Sequence, residues 1–287
     1  MVCATTCGSL QRIAWQLRMN LLELVGVGKA GHLGGSSSLA EIMSVLYFHA
    51  MRVDAQDRYA ADRDRLVVSK GHTVLIQYAA LAELGFFPKA ELKNVKSLGA
   101  LLQGHPDMGT PGIEAVTGSL GQGLSIGLGM ALALRLDSRP SRVHVVMGDG
   151  ELAEGQLWEA AMAAAAFRLD NLVGIVDRNR VQASGFTKDI FDIPNIADKW
   201  RAFGWNVLEI DGHDIPAIVR ALEDAATHRD RPTVIVAETV KGKGFSFAEN
   251  NAAFHNVALT EGFYQQGRRE LEAHMAACCS GIEESSQ

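Results

Sequence analysis

Several of the chemistry-bearing side chains of this 287-residue sequence sit in short segments beside glycine. Gly148-Asp149-Gly150 sets a carboxylate between two glycines. Some thirty residues later, Asp177-Arg178-Asn179-Arg180-Val181 offers an amide oxygen and a backbone carbonyl. Such oxygens suit Mg²⁺, which takes few protein ligands and completes its shell with water and phosphate oxygens. The flanking glycines let a phosphate lie against the backbone. Imidazoles recur beside glycines at Gly31-His32-Leu33-Gly34-Gly35, Ser69-Lys70-Gly71-His72 and Gly104-His105-Pro106, and once without them at Phe254-His255-Asn256. A histidine can recognise hydroxyls and move protons near neutral pH. Singly, a loop histidine is more often a solvated bystander.

The elements that must position these groups follow from periodicity. Arg142–Met147 and Leu172–Asp177 are short β-branched runs, and Glu154–Arg168 between them has Leu157, Trp158, Ala161 and Ala165 on one helical face. Strand, helix, strand is a βαβ crossover with adjacent parallel strands. Asp149 and Asn179 then leave the sheet at one edge, where open α/β sheets bind ligands. Arg65–Ser69 predicts a strand and Thr73–Leu84 a helix, which puts His72 at a helix N-terminus, a setting that attracts phosphate.

Leu10–Lys29 reads as an amphipathic helix, and Ser38 with Glu41 as a capping box. Leu124–Leu136 is apolar and small nearly all round, so it belongs inside the protein or in a subunit interface. Trp158 reads as an exposed aromatic needing cover. Trp205–Ile210 and Pro232–Ala237 are further strands around a helix at Asp214–His228. The turn Asp211-Gly212-His213-Asp214 is assigned no catalysis. A terminal helix is expected over Leu259–Ala277.

Composition narrows the partners. A net charge of −6 without basic runs argues against a nucleic-acid surface. No uninterrupted apolar stretch reaches membrane-spanning length and no signal pattern opens the chain, so no membrane partner is expected and the cytoplasm is the default. Cys3, Cys7, Cys278 and Cys279 lie only at the ends and read as free thiols on mobile segments.

Gly-Asp-Gly followed by the distant Asn closely resembles the diphosphate-and-metal motif of thiamine diphosphate enzymes. Gly-His-Leu-Gly-Gly, Ser-Lys-Gly-His, Gly-His-Pro, Thr117-Gly118-Ser119-Leu120-Gly121-Gln122-Gly123 and the late His255 narrow this to the transketolase branch. Many relatives carry Pro where Ser119 stands. The resemblance implies an α/β thiamine diphosphate-binding fold, with a mostly parallel central sheet flanked by helices on both faces. It spans residues 10–279, between a short extension (1–9) and a tail (280–287) expected to be disordered.

It further implies thiamine diphosphate with Mg²⁺ (or Ca²⁺ or Mn²⁺) as cofactors. Asp149, Asn179 and Val181 would bind the metal. His72, Gly118, Leu120, Gly150, Glu151, Asn179 and His255 would bind the cofactor, with His32, His105, His255 and Glu154 as catalytic residues. The implied reaction moves a two-carbon ketol unit from a ketose phosphate to an aldose or aldose phosphate. The chain resembles the N-terminal subunit of a split transketolase, inactive without a C-terminal partner that carries the pyrimidine-binding module and homodimerised within an α2β2 assembly. A subunit of a 1-deoxyxylulose-5-phosphate synthase-like or 2-oxo acid dehydrogenase-like enzyme, or a transketolase for an unusual phosphosugar, remain alternatives.

Overall fold

A computed structural model describes residues 4–284, with side chains over 6–278. In chain order the strands are β1 (Ala30–Gly31), β2 (Arg65–Val68), β3 (Val143–Gly148), β4 (Leu172–Arg178), β5 (Asn206–Asp211), β6 (Thr233–Glu238) and β7 (Val257–Ala258). Five of them form one sheet in the order β2-β3-β4-β6-β5, every pair parallel. A parallel sheet is covered on both faces, which is why its strands are β-branched runs rather than alternating patterns.

Successive side chains nevertheless point opposite ways and build two cores. Leu66, Val68, Val146, Ile175 and Ile235 pack on one face. Against them lie helices α1 (Ala4–Val25), α2 (Leu33–Ser37), α3 (Ala40–Val45) and α4 (Val74–Leu84). Val67, Val145, Met147, Val176 and Val236 fill the other face. There the cover is α5 (Gln122–Leu136) and α6 (Gly155–Ala166); a short α7 (Thr187–Ile190) follows, and then α8 (Ile196–Ala202), which adds Trp200 to this core. The first face is completed by α9 (Ile215–Thr227), and α10 (Glu261–Glu284) lies over α1. Two-residue β1 pairs antiparallel with β7, tying the loop before His32 to the loop after His255.

Several expectations need correction. The first helix stops at Val25 because Gly26 turns the chain left-handed at φ 61°. Ser38 and Glu41 make no capping box: Ser38 Oγ donates to Asp177 Oδ2 at 2.8 Å and lies 3.0 Å from Gly35 O, and Glu41 is buried against Arg18. Trp158 is not an exposed aromatic. Its Nε1–H donates to Leu152 O at 2.8 Å and its ring packs on Trp200 and Phe203. Cys7 and Cys278 are free but lie half-buried in α1 and α10, packed against the core rather than on mobile ends. Cys3 and the side chain of Cys279 lie outside the described residues.

The last helix continues to Glu284, into the tail expected to be disordered. Among the described residues no helix is long and apolar enough to cross a membrane.

Candidate active site

The βαβ unit delivers its groups as expected. β3 and β4 pair in register up to Gly148 and Asp177, and the Asp149 N–H donates to Asp177 O at 3.2 Å. One Asp149 oxygen accepts from Gly150 N–H (2.8 Å) and the other from Arg180 N–H (2.6 Å), across the two strand ends. Arg180 is left-handed at φ 63°, which folds Val181 back so that its N–H donates to Asn179 Oδ1 at 3.1 Å. Burial, with Asp177 nearby, pushes the Asp149 carboxyl up to about 6.

Beneath this corner lies a buried pair that sequence reading did not find. Lys70, from the Ser-Lys-Gly-His segment, donates to Asp177, which also accepts from Ser38, Thr239 and the Asn179 amide. Burial alone would raise Asp177; the Lys70 ammonium and the hydrogen bonds from Lys70, Thr239 and Asn179 together outweigh it and hold the carboxyl below its ordinary range. Asp177 is therefore the joist under the Asp149–Val181 corner, saturated by its neighbours. Glu151 plays a similar part. Its carboxylate accepts from Ser69 Oγ–H, Gly121 N–H (2.8 Å) and Gly148 N–H (3.0 Å), which ties three motifs together.

The imidazoles converge. His32 stands with its ring centroid 5.0 Å from that of His72, 5.2 Å from His255 and 6.2 Å from His105, and His72 is 5.2 Å from His255. Gly118 permits this packing: at φ 149°, a Cβ there would sit 2.9 Å from the His105 ring. Burial depresses each of three of these rings, with cationic neighbours adding to it. His32 falls to about 3 and His255 to about 4, while His72 falls further below its ordinary value. All three are neutral at physiological pH, able both to donate and to accept. Among the described residues His32 Nδ1, buried, has no hydrogen-bond partner.

A second cation also escaped sequence reading. Lys241 Nζ, buried, donates to Val181 O (2.7 Å), Gln182 O (3.2 Å) and His255 Nδ1 (3.0 Å). Burial and then Lys70 bring its ammonium down to about 8. Among the described residues it has no carboxylate partner within ion-pair distance. Its only sequence signal was the run Lys241-Gly-Lys-Gly244, which reads equally well as a surface loop. Glu154 is exposed at the start of α6, its Cβ beside Gly121, and Leu120 is half-buried in the preceding loop.

Residues 9–277 match the family of the transketolase thiamine diphosphate-binding domain. The chain belongs to the transketolase family. It is 46% identical over 264 residues to the 6-deoxy-6-sulfo-D-fructose transketolase subunit SqwG of Clostridium sp. (strain MSTE9), covering 92% of this chain and 96% of that relative. It is 41% identical over 254 residues to an apulose-4-phosphate transketolase subunit of Phocaeicola vulgatus, covering 88% and 90%. The crystal structure of transketolase from Campylobacter jejuni superposes with TM-score 0.85 at 32% identity, over 92% of this chain and 42% of that one. The five-stranded sheet is therefore a thiamine diphosphate-binding α/β fold. Near-complete alignment with two subunit-length relatives makes this chain an N-terminal transketolase subunit.

The transketolase site fits its family's groups. A buried carboxylate raised toward neutrality, an amide oxygen and a carbonyl leave coordination for water and phosphate, as Mg²⁺ requires. Among the described residues no three His, Cys, Asp or Glu side chains form a cage of the kind a transition metal uses. Among the described residues, a buried ammonium without a carboxylate partner and an imidazole nitrogen without a hydrogen bond suit an anion and a hydroxyl-bearing ligand.

Proposed function

We propose that this chain is the diphosphate- and metal-binding subunit of a two-component transketolase, moving a two-carbon ketol unit from a ketose phosphate to an aldose or aldose phosphate. The observation that carries the reading is the meeting of Asp149, Asn179 and Val181 with Lys241 and the His32, His72, His105 and His255 rings at one sheet edge. Thiamine diphosphate, when bound, supplies the ring that stabilises carbanion character while a carbon–carbon bond beside a carbonyl breaks and re-forms. Asp149 Oδ, Asn179 Oδ1 and Val181 O would hold Mg²⁺. Lys241, His72 and the Gly150 N–H would hold the diphosphate, with Gly118 and Leu120 shaping the adjoining wall.

The chain's own chemistry is then proton handling. His32, His105 and His255 would bind sugar hydroxyls and take or return a proton at a hydroxyl oxygen, His32 and His255 from the neutral state. Glu154, exposed beside Gly121, would face the partner that brings the pyrimidine-binding module, in an α2β2 assembly acting in the cytoplasm.

Isothermal titration with thiamine diphosphate and Mg²⁺, with and without the partner subunit, tests this. Weak binding by the chain alone, tight binding by the pair and ketol transfer only by the pair are expected. Full transketolase activity from the rigorously pure chain would overturn the two-component reading.

The 46% identity to the sulfofructose subunit favours a second reading, a donor with a sulfonate at its terminal carbon. Comparing 6-sulfonated with 6-phosphorylated fructose as donor decides between them.

A further inference from the structure

We infer that His213 is a positioning residue that sets Lys241 and, through it, the tautomer of His255. Only the use His255 makes of that tautomer rests on the transketolase reading. His213 lies in the turn after β5, where its N–H donates to Asp211 Oδ1 at 2.8 Å. Its ring bridges two elements. Nδ1 is 3.0 Å from Glu41 Oε2, and Nε2 is 2.9 Å from the Val240 nitrogen. A backbone N–H can only donate, so Nε2 accepts and the ring proton sits on Nδ1, aimed at Glu41.

Glu41 is fixed in turn. Arg18, fully buried, grips it through two hydrogen bonds of 2.6 and 2.7 Å. The same guanidinium donates through Nε to Lys243 O at 2.9 Å and through a terminal nitrogen to Ser37 O at 3.1 Å. The segment from Val240 to Lys243 is thus held at its first N–H by His213 and at its last carbonyl by Arg18. Between them Gly242 is left-handed at φ 84°, and its N–H donates to Gly34 O at 3.0 Å. A Cβ there would lie 2.2 Å from Ala248 O, so the loop has a single path.

That path decides where Lys241 emerges. Its ammonium reaches His255 Nδ1 at 3.0 Å while anchored on Val181 O. An ammonium has no lone pair, so His255 Nδ1 accepts and the His255 proton sits on Nε2. A carboxylate on α3 thereby selects, through one imidazole, one backbone N–H and one lysine, which nitrogen His255 offers as a donor. If the buried triad served stability alone, the His255 tautomer would not depend on His213.

The test uses the full chain labelled with ¹⁵N-histidine and long-range ¹H–¹⁵N spectra at one neutral pH, with both rings assigned by substitution. Wild-type His213 should show a protonated Nδ1 and His255 a protonated Nε2. His213→Ala should leave His255 as a tautomer mixture, and Lys241→Met should do the same while His213 keeps its signature. His213→Asn retains a donor for Glu41 but falls short of Val240, and should behave as Ala does. His213→Gln, whose amide oxygen reaches the place of Nε2, should restore the His255 signal.

If the Ala variant fails to fold, the Asn and Gln pair decides. A folded His213→Asn or His213→Ala chain in which His255 keeps its wild-type tautomer overturns the inference. The measurement needs neither partner nor cofactor, so this result and the outcome of the thiamine diphosphate titration can fail separately.

Discussion

Asp149 is a carboxylate kept where ionisation is costly, and that cost is measurable without any metal. Its carboxyl is raised to about 6 by burial and by Asp177. Raising an acid's value on folding favours the protonated native state, so the contribution is fully present below the ordinary carboxylate range and lost as pH rises through about 6. Asp149→Asn removes the charge and leaves one acceptor for the Gly150 and Arg180 N–H groups. The variant should therefore gain about 1–2 kcal/mol over the metal-free wild type at pH 8, and the gain should vanish toward pH 4. It should also lose Mg²⁺-dependent cofactor binding. Thermal melts across that pH range check the first part, and a variant no more stable than wild type at pH 8 refutes it.

Lys241 gives a second titration. With its ammonium at about 8, pyrophosphate affinity of the chain should fall as pH rises through 8, and Lys241→Met should abolish that limb in calorimetry. At this scale the sequence exposed Asp149, His32, His72 and His105 because glycines stand beside them, and Asn179 because it follows the second strand of the βαβ unit. Lys70 and Lys241 stayed hidden because a lysine in a loop reads as solvated. Only the fold brings Lys70 to Asp177, 107 residues away.

The elements carry a different contrast. α5 contains two interior glycines that sequence alone treats alike, as losses of helix propensity. In the structure Gly127 lies against β3, where a Cβ would stand 2.4 Å from Val145 Cγ2. Gly129 faces outward, with nothing within 4 Å of that position. Gly127→Ala should therefore destabilise the chain by about 1–3 kcal/mol despite better propensity, since the helix must lift from the sheet. Gly129→Ala should stabilise it by up to about 1 kcal/mol. Urea unfolding of the two variants tests the pair, and equal signs would contradict this packing of α5 on β3.

The strands and long helices were legible from β-branched runs and apolar periodicity. The β1–β7 pair was not, because two residues hold no pattern. The Ser38–Glu41 motif misled for the opposite reason. It fits a local cap, yet Glu41 is taken by Arg18, 23 residues earlier, and Ser38 by Asp177.

For the whole molecule, the question is what covers the outer face of α5 and α6. Leu136 is 76% exposed, Met162 53% and Phe167 48%, and they lie on or just beyond these two helices. The outer positions of α5 include Gly129 and Ala133, small residues that admit close approach of another backbone. Trp158, which sequence reading offered as the mark of such a surface, is instead used internally against Trp200 and Phe203. An interface on this face would therefore rest on Leu136, Met162 and Phe167. An obligate assembly commonly buries more than about 2,000 Å².

A single charge set into this face should break assembly without disturbing the fold. Ala133→Glu is the suitable variant because Ala133 is exposed and its replacement has good helix propensity. The variant should melt within about 0.5 kcal/mol of wild type when measured dilute. In sedimentation velocity it should remain monomeric at concentrations where wild type self-associates, and it should show weakened complex formation with the partner subunit. Self-association unchanged by Ala133→Glu would move the interface to another face of the protein.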